Sequence, residues 1–163
     1  MTDQTTRPDY VYVASSWRNP LQPAIIAMLR AAQIDCYDFR DPDGDGSGGF
    51  SWRDVRDDPA EPSEIPAKGS DLVPVDEYLR MVHHPVATDG YDRDHAAMLR
   101  ADTFVLVMPC GRSAHLELGW AVGAGKRTAI LLEDPAEPEL MYRMVDLLAA
   151  DVMTLLAWLG VED

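Results

Sequence analysis

The feature that most constrains the fold is an apolar run in the second half of the chain, Thr103–Met108, with five large apolar side chains in succession. A run without polar alternation is typical of a central strand that is buried on both faces of a parallel sheet. A turn containing Pro109 and Gly111 follows, and Ser113 can cap a helix that runs to about Ala124. This order of strand, loop and helix predicts an α/β protein.

The remaining elements are predicted from periodicity and turn residues. Tyr10–Ala14 and Ile34–Asp38 are short β-rich runs on either side of a helix that Asn19 and Pro20 would open. The other predicted elements are helices over Val73–Val82 and Asp92–Arg100 separated by a turn at His83–Gly90, a buried strand at Thr128–Leu132, a helix opened by Pro138, an edge strand at Leu147–Ala149 and a last helix capped by Asp151. About five parallel strands with helices on both faces make a flavodoxin-like or Rossmann-like three-layer sandwich.

The length of 163 residues fits one domain, spanning residues 1–163. Residues 41–70 are rich in glycine, proline and acidic residues and have few apolar anchors, so they are predicted to form a long surface loop. Phe50 and Trp52 lie in this loop. They either cover a ligand or pin the loop to the body of the protein.

The charge balance limits the partners that this chain can bind. It carries 14 Lys and Arg against 28 Asp and Glu, a formal net charge of −14 at pH 7. Such a surface repels phosphate backbones and anionic lipids, so we expect neither a nucleic-acid polymer nor a membrane as a partner. The chain has no 18-residue apolar run, no apolar leader and only two cysteines, so we expect a cytoplasmic protein.

Glu117 is the main candidate for a catalytic residue. It is predicted in the first turn of the helix after the buried strand, at the edge where α/β sheets bind ligands. The helix dipole favours an ionised carboxylate there, as a carboxylate nucleophile requires. The alternative is an acid that only stabilises the start of the helix. Asp94 would complete a two-carboxylate site, and its neighbour Asp92 either caps a helix or binds substrate.

Two loops are predicted to meet at the same edge, because the carboxyl ends of parallel strands lie together. The candidate substrate-binding residues are Ser15, Trp17 and Arg18 in the loop after the first strand, and Gly111, Arg112 and Ser113 in the loop after the buried strand. Arginines from the two loops could converge on an anion. Ordinary surface charge is the alternative interpretation.

Three patterns that resemble metal or nucleophile sites are incomplete. Asp41–Gly46 resembles the start of a calcium loop, but Trp52 occupies the place of its last ligand. His115 and Glu117 match half of a zinc deaminase motif whose cysteine half is missing. Cys110 has no downstream histidine in a suitable frame, which favours a packed thiol over a nucleophile. We therefore expect no metal and no other cofactor.

The residues around Glu117 also carry a family resemblance. Ala101–Met108, followed by His115–Ala121 and Gly125–Arg127, resembles the nucleoside 2-deoxyribosyltransferase superfamily, whose hallmark is a buried strand, a short polar loop and Glu-x-Gly-x-Ala on a helix. Tyr10–Arg18 resembles the first strand and substrate-binding loop of that family. The resemblance covers most of the chain apart from residues 41–70.

This resemblance implies cleavage of the N-glycosidic bond of a nucleoside or nucleotide, by hydrolysis or by base transfer. Glu117 would attack C1′, and Asp94 would assist as a partner acid or sugar-hydroxyl ligand. The family also implies a homodimer or a higher homo-oligomer. The residues expected around the substrate are Tyr10 or Tyr12 beside the base, Arg18, Arg112 and Ser113 on phosphate or ribose, and Phe50 and Trp52 stacked over the base.

The chain departs from the family at one position and leaves two other function classes open. Transferases of the family carry an acid in the loop before the glutamate, where this chain has Gly111. Gly111–Ser113 is closer to the nucleotide N-hydrolases, in which hydroxyls and backbone amides hold a 5′-phosphate. One alternative is a nucleotide-binding or sensor module without turnover. The other is an NAD hydrolase similar to the bacterial Toll/interleukin-receptor-like enzymes.

Overall fold

The structure is a computed structural model that describes residues 7–60 and 72–161. The chain forms two compact units. The first contains the described residues of 1–38 and 97–163, and the second those of 39–96.

The first unit is built on a five-stranded parallel sheet with the strand order β2-β1-β3-β4-β5. Its strands are β1 (Val11–Ala14), β2 (Cys36–Tyr37), β3 (Thr103–Val107), β4 (Arg127–Leu131) and β5 (Leu147–Ala149). All four strand pairs are parallel. Across the three central strands, Val13 of β1 pairs with Val105 of β3, and Val105 pairs with Ala129 of β4. The predicted α/β class is therefore confirmed, with β3 in the middle of the sheet.

Helices cover both faces of this sheet. In the described residues the helices are α1 (Gln22–Ala31), α2 (Trp52–Arg56), α3 (Val75–Val82), α4 (Pro85–Arg100), α5 (Arg112–Gly123) and α6 (Val152–Trp158), together with a 3₁₀ helix at Leu140–Met144. One face buries Val13 and Val105 under α1 and α6. The other face buries Tyr12 and Phe104 on the side of α5, whose Trp120 ring lies 5.9 Å from Phe104. All five residues of β3 are buried, as their unbroken apolar pattern predicts.

The second unit has a small core of its own. Val55 of α2, Met81 of α3 and Ala87 of α4 are buried together. The helix α2 therefore interrupts the loop predicted for residues 41–70, and residues 61–70 of that loop lie outside the described residues. The predicted turn at His83–Gly90 is wrong, because α4 already begins at Pro85, a residue that fits the first helical position.

Two predicted helix starts differ from the structure. The helix expected to begin at Pro20 begins at Gln22, because the loop before it bonds to β3. The helix expected from Pro138 is the 3₁₀ helix Leu140–Met144, and the Glu139 side chain caps it by accepting from the Met141 N–H at 3.0 Å. Among the described residues, no helix is both long and apolar enough to span a membrane.

Candidate active site

The loop after β1 is tied to the end of β3 by side-chain hydrogen bonds. The hydroxyl of Ser15 donates to the carbonyl of Val107 at 2.8 Å. Asn19 is 2% exposed, and its amide donates to Ser15 Oγ at 3.0 Å and to the same carbonyl at 3.1 Å. Its Oδ1 accepts from the backbone N–H of Leu21 at 2.9 Å. The carboxyl ends of β1 and β3 are therefore held side by side. The prediction that Asn19 caps the following helix is wrong, because Leu21 is the N-cap residue of α1 and no side chain caps it.

The two loops at this edge leave their polar residues open to solvent. Trp17 is 52% exposed, and Arg18 is exposed beside it. The residues Gly111, Arg112 and Ser113 are exposed as well. Five of the six predicted loop residues of the first unit are therefore exposed at this edge. The sixth, Ser15, is half-buried and joins the two loops through its hydrogen bond to the end of β3.

Glu117 is half-buried in the second turn of α5, because the helix begins at Arg112 and not after Ser113. The helix therefore starts two residues earlier than predicted, which moves Glu117 from the expected first turn into the second. The unpaired N–H groups of a helix lie in its first turn, so the helix dipole acts more weakly on Glu117 than expected. Glu117 is three positions before Trp120, so the two side chains lie on the same flank of α5, where the Trp120 ring contacts Phe104 of β3.

Cys110 is a protonated thiol beside this helix. Burial, and after it the negative charge of Glu117, raises the pKa of Cys110 to about 12. Its sulfur lies 3.5 Å from Met108 Sδ and 3.5 Å from His115 Nδ1. A thiol with this pKa is not a nucleophile at neutral pH, which agrees with the interpretation of Cys110 as a packed residue.

His115 and Tyr142 form a pair that the sequence did not reveal. His115 Nδ1 lies 2.8 Å from the carbonyl oxygen of Gly111, and Nε2 lies 2.7 Å from the hydroxyl of Tyr142. The two rings stack with an interplanar angle of 17°. The sequence presented His115 as half of a zinc motif, and no local pattern connects it with a tyrosine 27 residues away.

A groove of about 480 Å³ runs along the flank of α5 that carries His115. Its other wall is formed by residues 137–139 and by Met141, Tyr142, Met144 and Val145. Glu117 is two positions after His115, which turns their side chains about 200° apart around the helix axis. Glu117 therefore lies on the flank of α5 away from this groove, and it is not among the residues that line the groove.

The expectation that Tyr12 lines a base pocket is wrong. Its ring is 1% exposed and stacks between Tyr37, at 5.2 Å, and Phe104, at 5.0 Å. Side chains alternate between the two faces of a sheet along a strand, and the Tyr12 side chain lies on the face that α5 covers. Tyr10 precedes β1 and so lies at the opposite, amino edge of the sheet, where the Arg100 guanidinium lies 3.6 Å from its ring centre. Neither tyrosine contributes to the carboxyl edge.

The two predicted acids of the second unit lie within α4. Asp94 is half-buried and Asp92 is exposed. Asp92 does not cap a helix, because α4 begins at Pro85, seven residues before it. The pairing of Asp94 with Glu117 stays a prediction.

The two aromatic residues of the predicted loop contact each other. Phe50 and Trp52 meet edge to face at 4.9 Å and 83°. A Cβ added at Gly90 of α4 would lie 2.8 Å from the Phe50 side chain, so Phe50 packs directly on the helix backbone. This favours pinning over ligand contact for Phe50, whereas Trp52 is 42% exposed.

The pattern at Asp41–Gly46 is a turn in the structure. Asp41 Oδ1 accepts from the backbone N–H of Gly46 at 2.9 Å. Within residues 7–60 and 72–161, no group of three or more His, Cys, Asp or Glu side chains is arranged to hold a metal ion.

Comparison with solved structures finds the same fold in an enzyme. A 2-deoxyribosyltransferase from the psychrotolerant bacterium Bacillus psychrosaccharolyticus matches with a TM-score of 0.52 and 15% sequence identity, over 94% of this chain and 92% of that chain. No protein-family model matches the sequence, and no curated protein matches it either. This chain is therefore similar to a 2-deoxyribosyltransferase at the level of the fold.

Proposed function

We propose that this protein cleaves the N-glycosidic bond of a nucleoside or nucleotide, by hydrolysis or by base transfer, with Glu117 as the nucleophile. One observation carries the proposal. Glu117 is a half-buried carboxylate in the second turn of α5, the helix that follows the carboxyl end of the central strand, in a fold shared with a 2-deoxyribosyltransferase. Ligands of open α/β sheets bind at this edge.

The proposed reaction passes through a covalent glycosyl-enzyme. The Glu117 carboxylate forms a bond to C1′ of the sugar while the C1′–N bond breaks and the base leaves with the bonding electrons. The base takes up a proton, and Asp94 assists as a partner acid or as a ligand of a sugar hydroxyl. Water or a second base then attacks C1′ and releases the carboxylate, so the configuration at C1′ is retained.

The exposed loop before Glu117 supports binding of an anionic substrate group. Gly111 has open space where a side chain would lie, and the N–H groups at the start of α5 have no helical partner. Such N–H groups bind phosphate, and exposed Arg112 and Arg18 would add positive charge. The net charge of −14 repels an extended polyanion more strongly than it repels a single small nucleotide.

Base release tests the proposal directly. The purified protein is incubated with a panel of nucleosides, deoxynucleoside monophosphates and NAD, with and without an acceptor base, and the free base is separated by chromatography. Glu117→Gln should lower the rate of release by roughly a thousandfold or more, because it removes the nucleophile. Glu133→Gln, at an exposed acid after β4, is the matched control and should leave the rate unchanged.

Two results would contradict this function. One is the absence of base release from every member of the panel. The other is an undiminished rate in Glu117→Gln with an unchanged melting temperature. Release of nicotinamide alone, from NAD, would assign the protein to the NAD hydrolase alternative.

The residue at Gly111 favours a second candidate, a nucleotide-binding or sensor module without turnover. A glycine there supplies no acid to handle the leaving base. Calorimetry with the same nucleotides separates the two candidates. Binding with the ligand recovered intact favours the sensor, and no binding to any nucleotide excludes both.

A further inference from the structure

The peptide group between Gly111 and Arg112 is held by a side chain. His115 Nδ1 lies 2.8 Å from the Gly111 carbonyl oxygen, whereas the backbone N–H of His115 lies 3.4 Å from it. A carbonyl oxygen only accepts hydrogen bonds, so Nδ1 carries the hydrogen. The shorter hydrogen bond to this carbonyl therefore comes from the imidazole ring and not from the helix backbone.

Tyr142 fixes the ring that makes this bond. In a neutral imidazole with hydrogen on Nδ1, Nε2 is an acceptor, so the Tyr142 hydroxyl donates to it across 2.7 Å. Desolvation by burial raises the pKa of Tyr142, which keeps the hydroxyl proton available at neutral pH. The stacked rings, with centroids 5.8 Å apart, also restrict rotation of the imidazole.

The orientation of this peptide matters for the start of α5. Gly111 has no Cβ, and nothing lies within 4 Å of where one would be, so steric contacts restrain its peptide little and the hydrogen bonds to its carbonyl, above all the short one from His115, hold it instead. The C=O and N–H of one planar peptide point in opposite directions. Holding the Gly111 carbonyl therefore fixes the direction of the Arg112 N–H, the first N–H of α5.

We propose that His115 and Tyr142 are positioning residues that hold the Gly111–Arg112 peptide so that the Arg112 N–H faces an anionic group of the substrate. The proposal rests on the proposed function for the identity of that ligand. It places the pair on the flank of α5 away from Glu117, so the two residues act on binding through the loop and not on the reacting carbon.

Nuclear magnetic resonance tests the positioning without any activity. In uniformly ¹⁵N-labelled protein, the His115 signals at neutral pH should show a protonated Nδ1 and an unprotonated Nε2. Tyr142→Phe should shift the ring toward the Nε2-protonated form and broaden the Arg112 amide resonance. Tyr78→Phe, at a tyrosine of α3 that is 53% exposed, is the matched control and should change neither signal. A protonated Nε2 with an unprotonated Nδ1 in the unsubstituted protein would overturn the proposal.

Kinetics with a deoxynucleoside monophosphate test the link to substrate. Tyr142→Phe should raise KM about fivefold, as expected for one weakened hydrogen bond, with kcat within about twofold. His115→Leu should raise KM further. His115→Asn should recover part of the loss, because its amide can donate to the same carbonyl. A purely structural role would not give this rescue or this separation of KM from kcat.

The outcomes for the two proposals are distinguishable. If the unsubstituted protein releases no base, the proposed function fails, and the histidine tautomer and the Arg112 resonance alone decide the positioning. If base is released but KM is unchanged in Tyr142→Phe and His115→Leu, the positioning proposal is overturned while the function stands.

Discussion

Substitution of Asn19 tests whether its buried amide joins β1 to β3. The side chain makes three hydrogen bonds, to Ser15 Oγ at 3.0 Å, to the Val107 carbonyl at 3.1 Å and from the Leu21 N–H at 2.9 Å. Each is worth about 0.5–1.5 kcal/mol net, so Asn19→Ala should lower the free energy of unfolding by about 2–4 kcal/mol.

Asn19→Asp is a sharper test, because it preserves the size of the side chain and its Oδ1 acceptor. The substitution replaces the amide nitrogen, a donor, with a second carboxylate oxygen, an acceptor. This oxygen faces the Val107 carbonyl, which is also an acceptor. It also faces the Ser15 hydroxyl, whose hydrogen is already donated to Val107. An ionised carboxylate at a position that is 2% exposed adds a desolvation cost. We expect Asn19→Asp to be about 1–3 kcal/mol less stable than Asn19→Ala at pH 8.

The pH dependence of this difference has a definite sign. Burial and the facing acceptors raise the pKa of the introduced carboxyl in the folded state above its unfolded value of about 3.9. The folded state then binds the proton more tightly, so stability falls as the pH rises from the unfolded toward the folded pKa. The difference between the two variants should therefore be smaller at pH 5 than at pH 8.

Urea unfolding followed by circular dichroism, at pH 5 and pH 8, measures these differences. Stability is compared by the urea concentration at the unfolding midpoint, with the same dependence of free energy on urea for each variant. Asn19→Ala is the matched variant at each pH. The reasoning would be refuted if Asn19→Asp were as stable as the unsubstituted protein at pH 8. It would also be refuted if the difference between the two variants did not change with pH.

Three further predictions concern the Cys110 thiol and the contact between Gly90 and Phe50. With a pKa of about 12, Cys110 should resist alkylation by iodoacetamide in the native protein at pH 8 and should react once the protein is unfolded in urea. Mass spectrometry measures the labelling, and rapid labelling of the native protein would contradict this prediction. The same raised pKa predicts that stability falls above about pH 9, where only the unfolded thiol loses its proton, and that Cys110→Ser removes this part of the pH dependence. Gly90→Ala should destabilise by about 1–2 kcal/mol, because a Cβ 2.8 Å from the Phe50 side chain outweighs the helix propensity of alanine. In a Phe50→Ala background the same change should be neutral or stabilising in thermal melts, and additive effects of the two substitutions would rule out the contact.

Much of the first unit could be predicted because its signals are local. The unbroken apolar run that ends in Val107 identified the central strand, and Leu147–Ala149 is a strand with the predicted bounds. The second unit was harder to predict. Pro85 and Gly90 look like residues that break a helix, yet Pro85 starts α4 and Gly90 makes room for Phe50. The role of Gly90 depends on Phe50, which is 40 residues away in sequence.

The candidate site divides in the same way. The position of Glu117 after the central strand follows from sequence order, since a helix after a parallel strand begins at the carboxyl edge. The family resemblance implied that Tyr12 lines a base pocket, and the sequence could not correct this, because a period of two residues gives two faces but does not say what covers each of them. In the structure α5 covers that face, and Tyr12 is part of the core.

The order of elements, the α/β class and the place of Glu117 were encoded in hydrophobic period and strand ends, which depend on residues close together in the chain. The contacts of Asn19 with β3, and of Tyr142 with His115, arise where separate segments pack together. No local pattern specifies such contacts, because the free energy that forms them comes from burying one element against another. The residues that shape the loop beside Glu117 were therefore visible only in the packed protein.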